Sequence, residues 1–171
     1  MFFLPLFDNN PTVTRPFITW VIIAFCMLGF VYQESLDYHN AYSIVYQLGF
    51  IPAILFTPAE LPDSMSLVPA WSTIFTSMFM HGGWLHFLSN MLYLWIFADN
   101  VEDVLGKKKF VFFYIMSGIS AAIFQMLADI NSQIPMVGAS GAIAGILGAY
   151  MYLFPKAKPF VEDILDNEYV L

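Results

Sequence analysis

The sequence predicts an all-α polytopic membrane protein with four transmembrane helices, and three observations support this fold class. Apolar residues make up 59% of the 171 residues and charged residues only 11%, whereas a soluble domain carries about 25% charged residues. Four long stretches contain no charged side chain, as expected where a charge at mid-bilayer costs between about 2.5 and 17 kcal/mol. All six basic residues lie at stretch ends that a serpentine chain would place on one side of a membrane.

The composition also excludes several classes of function. Thirteen acidic residues against six basic residues give a net charge of −7, so the chain lacks the basic surface that nucleic acid requires. The single cysteine, Cys26, lies inside an apolar run, which excludes an internal disulfide or a CxxC metal site. We therefore expect no nucleic-acid partner, no metal and no cofactor.

Helix one is predicted over residues 16–33, because Arg15 and Glu34 bound an apolar run there. The next uncharged stretch is longer than the roughly 20 residues that one crossing needs. A Gly-Gly pair divides this stretch, and helix two is therefore predicted to begin just after the pair, over residues 84–98.

Helix three is predicted over residues 110–128, where Asp129 closes an apolar run, and helix four over residues 136–154. The long connection 34–83 is acidic but also rich in Phe, Ile, Leu and Trp, which is typical of a segment lying in the membrane interface. We see no internal repeat and no second composition class. Residues 1–171 are therefore predicted to form one transmembrane domain.

The basic residues predict the orientation, since short cytoplasmic loops are enriched in Lys and Arg. Arg15 precedes helix one, Lys107–Lys109 lie between helices two and three, and Lys156 and Lys158 follow helix four. The connection 34–83 contains no Lys or Arg. Both termini are therefore predicted to be cytoplasmic.

Three polar residues stand at the start of helix two, in the segment HGGWLHFLSN. His86 and Asn90 are four residues apart and share one helix face, while His81 precedes them at the mouth of the helix. Polar side chains within a span are candidates for function. The alternative is that they form hydrogen bonds between helices and stabilise packing.

Ser140 is the fourth candidate and lies in GASGAIAG of helix four. Gly141 and Gly145 form a GxxxG pair, so close helix packing is the alternative explanation of this motif. At about 1.5 Å per residue, Ser140 lies roughly 6 Å into helix four, a depth comparable with those of His86 and Asn90 in helix two. The first turn of a helix also has free N–H groups that favour a developing oxyanion.

The motifs HGGWLHFLSN, FADNVEDVLGKKKF and GASGAIAG, in this order, resemble the rhomboid intramembrane serine proteases. The resemblance implies a rhomboid-like helical bundle in which Ser140 is the nucleophile and His86 and Asn90 stabilise the oxyanion. It also implies a serine endopeptidase of a bacterial cell (inner) membrane that cleaves transmembrane protein substrates near the outer membrane face. The supporting motif residues would be His81, Gly138 and Gly141.

The sequence departs from the rhomboid pattern in one respect. Rhomboids have at least six transmembrane helices, and the sixth carries the general-base histidine. Here the histidines are His39, His81 and His86, all before Ser140, and residues 159–171 are too short and too acidic to span a bilayer. We therefore expect a chain that is incomplete at its C-terminus, with four of the usual six helices and the general base absent.

This departure leaves the catalytic status open between three possibilities. A serine without an adjacent base is a weak nucleophile, so the activity of this chain alone is doubtful. The first possibility is a rhomboid-type protease that lacks its base. The others are a non-catalytic rhomboid-like membrane protein that binds transmembrane helices and a truncated, inactive gene product.

Overall fold

The computed structural model describes residues 10–59, 61–62 and 66–157, and within these ranges the chain is helical and has no strand. Most of the helical residues lie in three long runs and one shorter helix. The α-helices are α1 (Phe17–Ser35), α2 (Tyr38–Leu48), α3 (Pro52–Phe56), α4 (Thr73–Thr76), α5 (Trp84–Tyr93), α6 (Asp99–Leu105), α7 (Lys107–Ala128) and α8 (Ser140–Leu153). Short 3-10 turns flank α4, and a π-helical segment, Leu94–Ala98, joins α5 to α6.

Helices α1 and α7 are long and apolar enough to cross a membrane, whereas α8 is apolar but shorter. Both long helices expose large apolar side chains, including Phe25 and Leu28 on α1 and Phe124 and Leu127 on α7. Apolar patches of this extent are rare on soluble monomers and mark contacts with lipid or protein. The exposed faces of α1 and α7 are therefore suited to a lipid environment.

Helix α8 packs closely against α7 through its GxxxG pair. Gly141 faces Ala121, and a Cβ built on Gly145 would lie 2.6 Å from the Cβ of Ser117. Only a residue without a side chain allows the two backbones to approach this closely. Close packing of α8 against α7 therefore accounts for the two glycines of the GxxxG pair, Gly141 and Gly145.

The first three long helices differ at their ends from the predicted bounds. Helix one was predicted over 16–33 and extends to Ser35. Helix two was predicted to end at residue 98, but the helical run continues through α6 until Gly106, whose φ of +73° ends it. Helix three begins at Lys107 rather than at residue 110, because lysine is a good helix former although it is not apolar.

Helix four begins at Ser140, four residues after its predicted start at residue 136. The preceding residues are extended because Met136 exchanges two backbone hydrogen bonds with Phe50, at 3.0 and 2.8 Å. Gly138 then adopts a φ of +112°, which is incompatible with a right-handed helix. Ser140 is therefore the first residue of its helix and does not lie about one turn inside it.

The connection predicted as an interfacial loop, 34–83, contains α2, α3 and α4. Helix α2 is capped by Asp37, whose carboxylate accepts hydrogen bonds from the N–H groups of His39 and Asn40. The backbone and side-chain N–H groups of Asn40 hold the pKa of Asp37 below its usual value. Such a cap satisfies N–H groups that the first helical turn leaves free.

Two carboxylates of α6 attach the start of α1 to the bundle. Glu102 is 1% exposed and accepts hydrogen bonds from the N–H groups of Ile18 and Thr19 and from the hydroxyl of Thr19, at 3.0, 2.8 and 2.8 Å. Asp103 accepts from the backbone just before α1, at Val13 and Thr14. The VED segment therefore links α1 to α6 at the end of the bundle that carries the lysines.

Candidate active site

The candidate site lies where the first half of α5 meets the extended segment before α8. His86 and Asn90 are one helical turn apart and point to the same side. A Cβ built on Gly138 would lie 2.6 Å from both Nε2 and Cε1 of His86, and 3.5 Å from Nδ2 of Asn90. Both side chains therefore lie against the backbone of residue 138, two residues before Ser140.

Gly138 meets two requirements that only glycine satisfies. Its φ of +112° lies in a region that residues with a Cβ rarely adopt. The ring of His86 also occupies the space that a side chain would need. The N–H of Gly138 donates to the carbonyl of Ser77 at 2.8 Å, which holds the segment in place on the α4 side.

Ser140 begins α8 and is exposed, although Gly138 and Ala139 before it are buried. No side chain caps this end of the helix. The first intrahelical hydrogen bond runs from the N–H of Ile143 to the carbonyl of Ala139, so the N–H groups of the first turn have no acceptor within the helix. The Ser140 side chain is therefore beside free backbone donors at the positive end of the helix dipole.

The hydrogen bonding of His86 indicates which of its nitrogens carries the proton. The N–H of Gly82 points to Nδ1 of His86 at 3.4 Å, so Nδ1 is the acceptor. A neutral imidazole then carries its proton on Nε2. Because Nε2 is the nitrogen that faces Gly138, His86 presents an N–H donor to the segment that precedes Ser140.

Asn90 is 5% exposed, and its Nδ2 has no hydrogen-bond partner among the described residues. A buried donor without a partner costs about 1–3 kcal/mol, so such groups are rare in folded proteins unless a function requires them. The free Nδ2 is on the side of Asn90 that faces Gly138. This arrangement is suited to a donor that waits for an acceptor on a ligand.

His81 packs against the rings of His86 and Phe87. Its ring is fully buried and lies 5.4 Å from the ring of His86 and 5.3 Å from that of Phe87, both measured between centroids. His81, which was predicted as a supporting residue of the motif, therefore packs against the ring of His86. The described residues contain no group of three or more side chains that could hold a metal ion.

Sequence reasoning missed several residues that surround the site. Ser77 supplies the carbonyl that accepts from Gly138, and Gln33 of α1 donates from Nε2 to the carbonyl of His81 at 2.6 Å. Gln33 could have been noticed, because an amide inside an apolar span is a candidate in the same way as Asn90. The carbonyl of Ser77 carries no sequence signal, since every residue has one.

Comparison with known proteins finds a matching family model and several relatives of this chain. The family model described as the Rhomboid domain matches residues 69–167. Rhomboid protease GluP from Bacillus subtilis is 34% identical over 169 residues, covering 96% of this chain and 29% of that protein. Rhomboid protein 1, mitochondrial, from Saccharomyces cerevisiae is 39% identical over 90 residues, covering 50% of this chain and 26% of that protein.

A third relative, putative rhomboid protease YdcA from Bacillus subtilis, is 35% identical over 83 residues, covering 48% of this chain and 41% of that protein. The chain thus spans less than half the length of each of these three relatives. The matched region 69–167 includes His81, His86 and the GASG motif. On this match, which covers more than half of the sequence, the chain belongs to the rhomboid family.

Proposed function

We propose that this chain carries the nucleophile and the oxyanion donors of an intramembrane serine endopeptidase, with Ser140 as the nucleophile. The main support is the contact of His86 and Asn90 with Gly138, two residues before a serine that begins a helix. Hydrolysis of a peptide bond by a serine nucleophile needs a hydroxyl group and several N–H donors that point to the same reacting carbonyl. The substrates in this proposal are transmembrane proteins, cleaved near the outer membrane face.

In the proposed reaction, the Ser140 oxygen attacks the carbonyl carbon of the scissile peptide bond while a general base accepts the hydroxyl proton. The carbonyl oxygen becomes an oxyanion and receives hydrogen bonds from Nε2–H of His86, Nδ2–H of Asn90 and the backbone N–H of Ser140. The intermediate then expels the amine, which takes the proton from the base. Water hydrolyses the remaining ester and releases Ser140.

In the proposed mechanism, none of the three histidines of this sequence acts as the general base. All three histidines precede Ser140 in the sequence, and His86 already uses Nδ1 as an acceptor for Gly82. The family resemblance implies that a histidine on a sixth helix acts as the base. A protein of these 171 residues alone is therefore expected to be inactive.

The proposed topology has four crossings, formed by α1, by the α5–α6 run, by α7 and by α8. The lysines of α7 lie next to α6, at the far end of this run from His86, and the positive-inside rule assigns that end to the cytoplasm. His86, Asn90 and Ser140 then lie toward the outer face, and both termini are cytoplasmic. Similarity to the GluP protein of Bacillus subtilis favours a bacterial cell membrane.

Labelling with a fluorophosphonate tests the proposed function, because such reagents react with a serine that has both a base and an oxyanion hole. The chain would be extended by two apolar helices, the second carrying a histidine, taken from another rhomboid. We expect labelling of the extended form that is lost in Ser140→Ala and kept in Ser120→Ala, since Ser120 is an exposed serine on α7. The unextended chain should not be labelled.

Two results would contradict this proposal. Labelling of the unextended chain that disappears in Ser140→Ala would place a base within the 171 residues. Equal labelling of the extended form and of its Ser140→Ala variant would exclude Ser140 as the nucleophile.

A non-catalytic binder of transmembrane helices is the second candidate function. It is favoured by an open groove of about 640 Å³ between α7 and α8, lined by Phe113, Met116, Phe124 and the glycines 141 and 145. Ala144 of α8 also lines the groove and is exposed, as are Ser140 and Gly148 of the same helix. An extended form that binds transmembrane peptides but is never labelled would favour this candidate.

A further inference from the structure

The last two turns of α1 contact the segment that carries His86, and one buried aromatic ring makes most of this contact. Phe30 is 0% exposed, and its ring stacks on that of Phe87 with centroids 4.4 Å apart and planes 8° apart. The same ring meets Trp84 edge-on at 5.0 Å and His81 edge-on at 6.2 Å. One residue of α1 thus packs against three residues of the segment 81–87.

Two hydrogen bonds supplement this packing. Nε2 of Gln33 donates to the carbonyl of His81 at 2.6 Å, and the indole N–H of Trp84 donates to Oε2 of Glu34 at 2.8 Å. Phe30, Gln33 and Glu34 all belong to the last two turns of α1. This end of α1 is therefore attached to both sides of the glycine pair in HGGW.

The glycine pair needs such support. Gly82 and Gly83 precede the regular part of α5, and Gly83 adopts a φ of +146°. Glycine has more conformational freedom than other residues, so a Gly-Gly turn has little preference of its own for one geometry. The N–H of Gly82 nevertheless has to point at Nδ1 of His86 in order to keep the proton of that ring on Nε2.

We propose that Phe30 and Gln33 of α1 are positioning residues that hold the His81–Gly83 turn so that Gly82 keeps His86 as an Nε2–H donor toward Gly138, two residues before Ser140. This inference rests on the proposed function only for the role of that donor. The contacts from α1 to the turn and from the turn to His86 form a continuous chain. Helix α1 thereby contributes to the oxyanion site without touching the substrate.

The tautomer of His86 can be measured without any activity. In the neutral ring, the protonated and the bare nitrogen give well separated ¹⁵N signals, and a mixture of tautomers brings them together. The full chain labelled with ¹⁵N-histidine would be studied in detergent micelles, with the signals assigned by His39→Ala and His86→Ala. We expect a single Nε2–H tautomer for His86 in the unmodified chain.

Gln33→Met removes the donor to His81 while keeping the length and the helix preference of the side chain. We expect this variant, and Phe30→Leu, to move the His86 signals toward the tautomeric average. Tyr32→Phe is the matched control, because Tyr32 lies in the same turn of α1 with its side chain exposed. It should leave the His86 spectrum unchanged.

A single Nε2–H tautomer in a folded Gln33→Met variant would overturn the proposal, and so would an equal change in Tyr32→Phe. If Phe30→Leu does not fold, Gln33→Met decides. In the extended form, Gln33→Met should also lower the rate of Ser140 labelling by up to about 10²-fold, as for other small displacements of catalytic groups. Absent labelling in every variant would reject the proposed function alone, since the tautomer measurement does not depend on Ser140.

Discussion

The two ends of the α5–α6 helical run carry buried polar residues with opposite hydrogen bonding. At one end, Glu102 is 1% exposed and accepts three hydrogen bonds from the start of α1. At the other end, Asn90 is 5% exposed and its Nδ2 has no partner among the described residues. A buried polar group with all its partners stabilises the fold, whereas a donor kept without one is available to a ligand.

This contrast separates stability from function along one helix. Substitution at the Glu102 end should lower the free energy of unfolding and affect labelling only through the loss of folded protein. Substitution at the Asn90 end should lower the rate of labelling and leave folding nearly unchanged. The predictions below test that separation, beginning with the largest expected effect.

Glu102→Ala should destabilise the protein most. It leaves two N–H groups and one hydroxyl of α1 without their acceptor, and each buried polar group that loses its partner costs about 1–3 kcal/mol. Unfolding by sodium dodecyl sulfate in mixed micelles would measure the loss. Glu102→Gln keeps one acceptor oxygen and should lose less, and equal stability of all three proteins would remove the distinction between the two ends.

His86→Ala and Asn90→Ala should each lower the rate of Ser140 labelling in the extended form by about 10²–10³-fold, or about 2.7–4 kcal/mol, because each removes one oxyanion donor. Neither should shift unfolding as Glu102→Ala does, since the Asn90 amide nitrogen has no partner among the described residues and His86 loses only the 3.4 Å hydrogen bond from Gly82. Ser89→Ala, next to Asn90 on α5, is the control. An Asn90→Ala variant that unfolds readily but labels normally when folded would assign Asn90 to packing.

Gly145→Ala should destabilise the bundle by about 1–3 kcal/mol, as overpacking does elsewhere, because the new methyl group would overlap Ser117 of α7. Gly148→Ala is the matched control on the same helix, since a Cβ there meets no atom within 4 Å. The control should stabilise α8 by about 0.5–1 kcal/mol, because alanine is the better helix former. The same unfolding assay distinguishes the expected loss of stability in Gly145→Ala from the expected gain in Gly148→Ala. A loss of stability in both variants would contradict the α7–α8 packing.

Asp103→Asn should have the smallest effect, because Asp103 is a surface residue of α6 whose hydrogen bonds to the backbone before α1 are exposed to solvent. The hydroxyl of Thr14 and the N–H of Val13 hold the pKa of Asp103 below its usual value. A lowered pKa contributes stability above the usual aspartate pKa of about 3.9, and the contribution is lost as the pH falls through the lowered pKa. The difference in unfolding between this variant and the unmodified chain should therefore vanish in acid, and a difference that grows in acid would contradict it.

The helical class and the candidate residues follow from local signals. Charge-free runs predicted helices one, three and four with at least one end correct to within two residues, because a lipid environment excludes charge whatever the neighbouring residues are. The i, i+4 spacing of His86 and Asn90 placed them on one face, because helix geometry is the same everywhere. The GASG motif and its resemblance indicated the family to which the chain belongs.

Helix ends depended on contacts that a window of sequence does not contain. The helix continues beyond residue 98, where the carboxylate of Glu102 accepts hydrogen bonds from the N–H groups of Ile18 and Thr19 at the start of α1. These residues are 84 and 83 positions away in the sequence. Helix four begins at Ser140 because Phe50, far away in sequence, pairs with Met136, and Gly138 then adopts a φ of +112°. Both interactions require the tertiary structure, since their partners are distant in the chain.

The sequence by itself determined the helical class, the family and the residue types that the candidate site uses. Hydropathy, helical periodicity and motif order are local properties, and each residue contributes to them independently of the fold. Only the tertiary structure decided that His86 presents Nε2 to Gly138, that Nδ2 of Asn90 has no partner in the described part of the chain and that Gln33 of α1 bonds to the carbonyl of His81. These features depend on distances of a few ångströms between side chains and backbones that no local pattern encodes.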